Sequence, residues 1–370
     1  MKIDFNNGAG KLTEIAIGSD ALQKLKAFLN TLSSETGSIF ILTDEQTRFN
    51  CLEILTTAVP SLLSAEVLGI KAGEKYKSLR SADYLWSSLV EKGASRTSLI
   101  INLGGGVITD LGGFVASTFN RGISFINIPT SLLGMVDAAA GGKTGINLGN
   151  IKNQVGTFQE PVAVFIFTGF LQSLHPNELI NGFAEILKIA LVSDSLLWEK
   201  LKLIRIEDLL TVSQNEEIWD DLITTAVLDK CRIVEQDFKE KNLREILNFG
   251  HTIGHAFESL SLSTGRNPLS HGHAIALGII CESYLSSKKA GLEIKNREEI
   301  VRIILQDYAY YPLRKEELKL MMDFMAHDKK RKANGLRFTL ISSPGKANFG
   351  QSCELSEIIE SIDFYRTFEG

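Results

Sequence analysis

A chain of 370 residues exceeds what one hydrophobic core usually serves, and its 44% apolar residues suffice to fill two. A net charge of -5 and a pI near 5.8 exclude a global attraction for nucleic acid or acidic membranes, so an anionic ligand must be held by local cations. No apolar run reaches membrane-spanning length, and Cys51, Cys231, Cys281 and Cys353 lie far apart without a CxxC pair, which argues against a thiolate zinc site and for a reduced, cytoplasmic protein.

The amino-terminal half alternates β-branched runs with helical patterns. SIFILTD (38–44), SLIINLGGG (98–106), SFINIPTS (124–131) and VAVFIF (162–167) read as parallel strands joined by helices, near-continuously apolar because helices cover both faces. Ligands bind at the carboxyl ends of such strands, and several of these runs end in Gly, Asp, Thr or Ser. Residues 104–113, GGGVITDLGG, then lead into a helix, where amides freed of side-chain bulk can approach a pyrophosphate. The spacing is not GxGxxG, since Thr109 stands at the third glycine position. Nor is GGKT (141–144) a phosphate loop of the ATP-binding kind, since Asp137 stands where the first glycine belongs. Taken alone, these glycines would serve equally for tight strand-to-helix turns.

From Pro176 the texture changes to long amphipathic stretches, opening with PNELINGFAEILKIALVSD. The expected architecture is an α/β dinucleotide-binding domain with a mainly parallel sheet (1–175), followed by a mainly α-helical metal-binding domain (176–370), with an active-site cleft beside the junction. Only six histidines occur, and His251, His255, His271 and His273 fall within 23 residues. Arg244, Asn248, His251 and His255 are spaced four, three and four apart, predicting one polar stripe on a single helix. Imidazoles and a carboxylate suit a divalent ion, and Glu185, in GFAEILK with Lys188 one turn away, supplies the acid unless it merely pairs with that lysine. Arg121, Lys143, Lys152, Lys188, Lys230 and Arg244 lie beside glycine, asparagine or the polar stripe, where they could clamp phosphate and carboxylate. Lys230 fits a charged helical surface equally well, and DKKRKANG (328–335) reads most simply as a solvated basic turn.

The strings GEKYKS, GGGVITDLGGF, RGISFINIPTSLLGMVDAAAGGKTGIN, KNQVGTF, GFAEILK, LREILNFGHTIGHAFE and LSHGHAIALG, in this order, closely resemble the 3-dehydroquinate synthase family of sugar-phosphate cyclases from about residue 38 to 342. The resemblance implies NAD and zinc or cobalt as cofactors, a small sugar-acid phosphate substrate, no nucleic-acid or membrane partner, and a homodimer. It implies Glu185, His251 and His271 as metal ligands. Asp44, Glu74, Lys77, Gly105, Gly106, Val107, Asp110, Thr130, Ser131, Leu133 and Asp137 match NAD contacts. Asp137, Lys143, Asn153, Lys188, Lys230, Arg244, Asn248 and His255 match substrate and catalytic positions, with His255 handling protons. Arg121, Lys152 and Lys329 or Lys330 match phosphate or substrate contacts, Arg121 reaching across the dimer. The implied chemistry is transient oxidation by NAD, phosphate elimination, re-reduction, ring opening and aldol closure, without net redox change.

Two positions depart from the family pattern. Ser131 replaces a frequent threonine and keeps the hydroxyl, while His273 stands where an acid or small residue is common and, two residues from a ligand, belongs on another face of its helix. A sister cyclase acting on sedoheptulose 7-phosphate, a polyol or glycerol-phosphate dehydrogenase, and a non-catalytic relative are the competing readings. The retained Lys230, Arg244, Asn248 and DKK lysines favour dehydroquinate, and intact ligands argue against loss of catalysis.

Overall fold

The structure, a computed structural model, describes residues 2–6, 12–32, 36–149, 151–329 and 336–368. It divides into two compact units, Met1–Leu179 with Thr211–Lys239, and Ile180–Leu210 with Glu240–Gly370.

The first unit is built on nine strands: β1 (Lys2–Asn6), β2 (Leu12–Ile17), β3 (Ile39–Asp44), β4 (Glu66–Ile70), β5 (Leu99–Gly104), β6 (Ser124–Pro129), β7 (Lys143–Leu148), β8 (Ile151–Phe158) and β9 (Ala163–Ile166). Seven form one sheet in the order β1-β2-β9-β6-β5-β3-β4, parallel throughout except where β1 pairs antiparallel with β2. Every residue of β5 and β9 is buried, which is why these strands read as unbroken apolar runs. Helix Gly106–Thr118 follows β5 and packs Ile108, Leu111, Phe114 and Val115 into a core with Leu42, Ile100 and Phe125.

The connections from β3 and from β5 leave in opposite directions along the sheet, so the order reverses between these two strands. Such a reversal leaves a crevice at the strands' carboxyl ends. Asp44 ends β3, and Gly104 to Gly106 join β5 to its helix. Asn102 Nδ2 donates to Asn127 Oδ1 (2.9 Å), and Asn127 Nδ2 donates to the Ala139 carbonyl (2.9 Å), tying β5 and β6 to the turn that carries Asp137.

Three elements were not anticipated. The β1–β2 hairpin, the strand β4 and the separate β7–β8 hairpin lack long apolar runs, and β8 is almost wholly exposed. Helix Glu216–Gln236 belongs to the sheet unit although it lies beyond Pro176, and it buries Trp219, Leu222, Ile223 and Val227 there.

The second unit is mainly helical. At its centre runs helix His271–Lys289, whose Ala274 to Cys281 are all buried, with helices His251–Thr264, Ile294–Asp307 and Leu355–Arg366 and a hairpin of β10 (Arg337–Ser343) and β11 (Lys346–Ser352) also in this unit. The single helix expected across Arg244 to His255 is broken. Leu243–Asn248 forms a tight turn, Phe249 is extended, and Gly250 takes φ of +79° before a new helix starts at His251. That backbone angle is favourable only for glycine, so the polar stripe is assembled from two segments.

Candidate active site

Three helices of the second unit each contribute one group to a cluster. Glu185 sits within helix Pro176–Ser193, while His251 and His271 are each the first residue of a helix. His251 Nε2 and His271 Nε2 lie 3.7 and 3.5 Å from Glu185 Oε1, and the three donor atoms fall within 4.8 Å of one another. Glu185 is fully buried, and its Oε2 is paired with the Lys188 ammonium.

The opposite face of each imidazole is engaged. His251 Nδ1 lies 3.2 Å from the Phe249 carbonyl, and His271 Nδ1 lies 3.8 Å from Glu258 Oε2. Both rings therefore present Nε2 to Glu185, held from behind by an oxygen, as ligand histidines usually are. Burial drives His251 well below its ordinary titration range, and the Lys188 charge adds to this. Burial acts on His271 likewise, but the Glu185 and Glu258 carboxylates outweigh it and hold this ring up to about 9. Two imidazole nitrogens and one carboxylate oxygen make a set that could hold a divalent ion once the His271 proton is displaced. His255 stands beside them, its ring centre 5.3 Å from that of His251 and 5.9 Å from that of His271. His255, Glu258 and His271 form a second close group, in which Glu258 lies by the Nδ1 side of the His271 ring, away from Glu185.

Two side chains fasten these helices. Asn181 Oδ1, on the helix of Glu185, accepts the Gly272 N–H at 2.6 Å. Glu282, on the helix of His271, accepts the N–H groups of Gly250 (2.8 Å) and Ile253 (3.1 Å) at the start of the helix of His251.

In the first unit a polar constellation lies beyond the strand ends. Lys77 Nζ pairs with Asp110 Oδ2 at 2.5 Å and also reaches Asn153 Oδ1. Burial raises the Asp110 carboxyl above its ordinary value despite that lysine. Glu74 accepts from Asn147 Nδ2 (2.8 Å), and the left-handed Asn153 donates its N–H to Asn147 Oδ1 (2.9 Å). Lys230 pairs with the Asp137 carboxylate (2.5 Å) and its carbonyl, bringing helix Glu216–Gln236 to the turn after β6. Gly105 begins helix Gly106–Thr118 with no side-chain cap, Thr130 N–H donates to the Gly104 carbonyl, and Ser131 Oγ accepts the Gly134 N–H. Val107 and Leu133 lie on the same two connections, after β5 and β6. Asp44 Oδ1 accepts the Thr47 N–H and caps the helix that follows β3.

The remaining predicted residues are more dispersed. Lys143 and Lys152 lie on the β7–β8 hairpin, and Arg121 on an exposed left-handed turn lining a surface hollow of about 420 Å³ with Arg96. Arg244 is buried and Asn248 donates to Glu240 Oε1 (3.1 Å). His273 turns to the Ala309 carbonyl (2.7 Å) and stacks edge-on with Tyr308. Lys329 closes helix Leu318–Lys329, and Lys330 lies outside the described residues. Sequence reasoning missed Glu258, although its place seven residues after His251 continues the polar stripe; it also missed Asn181 and Glu282, for which no pattern signals a role.

The pattern for the 3-dehydroquinate synthase N-terminal half matches residues 67–181, and that for the C-terminal half matches residues 182–331. A 3-dehydroquinate synthase from Parabacteroides distasonis is 40% identical over 353 residues, spanning 95% of this chain and 98% of that protein. Among solved structures, a 2-deoxy-scyllo-inosose synthase complexed with carbaglucose-6-phosphate, NAD+ and Co2+ superimposes with a TM-score of 0.84 at 23% identity, over 99% of this chain and 100% of that one. A 2-epi-5-epi-valiolone synthase from Streptomyces hygroscopicus, with NAD+ and Zn2+ bound, gives 0.83 at 25% identity, over 96% and 97%.

Proposed function

The chain belongs to the 3-dehydroquinate synthase family, and from that premise we propose that Glu185, His251 and His271 hold the divalent ion with which it works. The activity is that of the family. It converts 3-deoxy-D-arabino-heptulosonate 7-phosphate to 3-dehydroquinate and phosphate, which makes it a phosphate-eliminating carbon–oxygen lyase of the shikimate pathway. The observation that carries the assignment of the ion is the convergence of both Nε2 atoms on one buried carboxylate, with each Nδ1 already engaged.

NAD and zinc or cobalt are the cofactors in this reading, supported by the donor set and by the uncapped glycine turn before helix Gly106–Thr118. Bound, they supply a reversible hydride acceptor and a Lewis acid. The protein's own groups do the rest. Lys188 holds Glu185 in place and presents positive charge to the substrate's anionic groups. His255, beside both ligand rings, takes and returns protons. Arg244, Asn248, Lys143, Lys152 and Asn153 orient the sugar acid and its phosphate, and Lys230 fixes the Asp137 turn. Holding a flexible substrate near its reactive geometry is the main demand of the late ring-opening and closure steps.

A homodimer, with Arg121 completing the partner's phosphate site, and a cytoplasmic location are part of the proposal. The exposed left-handed turn presenting Arg121 is consistent with the first, and among the described residues no helix is long and apolar enough to cross a membrane. The test is to follow phosphate and NADH together on adding the heptulosonate phosphate, catalytic NAD and zinc. Phosphate release without net NADH, abolished by chelator and by His271→Ala, is expected. Release only from sedoheptulose 7-phosphate would make the protein a sister cyclase, and accumulation of NADH a dehydrogenase.

A further inference from the structure

Helix His251–Thr264 begins in an unusual way. The capping position is Gly250, whose φ of +79° suits glycine alone, and a Cβ there would lie 2.5 Å from Ile279 Cγ1 and 3.0 Å from the Ile275 carbonyl. A serine, threonine or aspartate, the residues that normally cap a helix with their own side chain, cannot stand at this position. The first turn still carries N–H groups without intrahelical acceptors, and here they are buried.

Glu282 supplies the missing acceptors from another helix. It is fully buried, as are Ile279, Ile280, Cys281 and Leu285 of the same helix, and a buried carboxylate costs several kcal/mol unless its oxygens are satisfied. One oxygen accepts the N–H of Gly250 and the other that of Ile253, the third residue of the helix and the usual target of a capping side chain. Negative charge at a helix N-terminus is favourable as well. The two helices touch through backbone at this point, since a Cβ on Gly278 would lie 2.0 Å from the Gly250 carbonyl. His251 is the first residue of the capped helix, and His271 the first of the helix that carries Glu282.

We propose that Glu282 is a positioning residue that caps the ligand helix in trans and thereby sets the separation of the His251 and His271 nitrogens, tuning metal affinity and coordination geometry. The inference rests on Glu185, His251 and His271 being the ligands. Donor positions must hold within about half an ångström for a defined coordination geometry, and a cap that ties one ligand helix to the other meets that need.

The experiment measures zinc affinity by chelator competition, and the visible ligand-field spectrum of the cobalt-loaded protein, for the parent and for Glu282→Gln, which keeps the shape but replaces one acceptor by a donor. Glu282→Asp is carried in parallel, and its result decides if the glutamine variant does not fold. The expected result is a roughly 10- to 100-fold weaker zinc affinity with an altered cobalt spectrum, the usual effect of losing a group that orients a metal ligand. Native zinc affinity and cobalt spectrum in either folded variant, with melting temperature lowered equally with and without metal, would overturn the proposal and leave Glu282 a structural cap. His271→Ala separates the two readings. If it leaves zinc affinity intact, the ligand assignment fails; if it abolishes binding while Glu282→Gln is native, only the inference fails.

Discussion

Replacing Lys188 by methionine should destabilise the metal-free protein severely and the metal-loaded protein much less. Lys188 and Glu185 are a turn apart on one helix, with side chains 2% and 0% exposed, and their charged ends are in direct contact. Methionine keeps the apolar stem, so packing changes little, but the buried carboxylate loses its lysine. Breaking a buried pair from one side typically costs about 3–5 kcal/mol. The unit that contains the pair has about 160 residues, for which each kcal/mol moves the melting temperature by roughly 2–4 °C. Without metal the melting temperature should therefore fall by about 6–20 °C. A divalent ion on Glu185 restores a counter-charge, and the repulsion between the ion and Lys188 vanishes with the substitution, so with saturating zinc the fall should be less than half as large. Calorimetry of parent and variant, each with chelator and with zinc, measures all four values. Equal losses in the two metal states, or a loss of under 3 °C without metal, would refute the view that Glu185 sits poised between a lysine and an ion.

Two further outcomes follow from the electrostatics of the same cluster. In the metal-free protein His271 is held up to about 9 against an ordinary 6.5, so its protonation contributes stability that is complete below about pH 6.5 and is lost as pH rises toward 9. A metal must displace that proton, so zinc affinity should rise about tenfold per pH unit from 6.5 to 8.5; a flat profile in chelator competition would remove His271 from the ligand set. Glu258→Gln takes away one of the two carboxylates that hold the His271 proton and orient its ring. It should weaken zinc binding roughly 10- to 100-fold and shallow that pH dependence, whereas unchanged affinity would show Glu258 to be a bystander.

What was legible in the sequence divides along a physical line. The runs at 38–44, 98–106, 124–131 and 162–167 correspond to β3, β5, β6 and β9, because strands covered on both faces must be apolar at nearly every position. The β7–β8 hairpin escaped notice since β8, exposed along most of its length, is under no such constraint. Glu185 and the cluster of His251, His255, His271 and His273 stood out because imidazoles and a carboxylate gathered on helices leave residue identity as their trace, while the choice of Glu185, His251 and His271 among them came from the family resemblance. The break at Phe249–Gly250 did not, for the four-three-four spacing of Arg244, Asn248, His251 and His255 runs across it undisturbed. Glu282 was illegible for a different reason: its partners are the backbone N–H groups of Gly250 and Ile253, which every residue but proline possesses. A support of that kind can be provided from many positions and by several residue types, as Asn181 provides another through the Gly272 N–H. Ligands are therefore the part of such a site that must be spelled out in sequence, while the devices that aim them can vary, and it is in those devices that proteins holding the same ion can come to differ in how tightly they hold it.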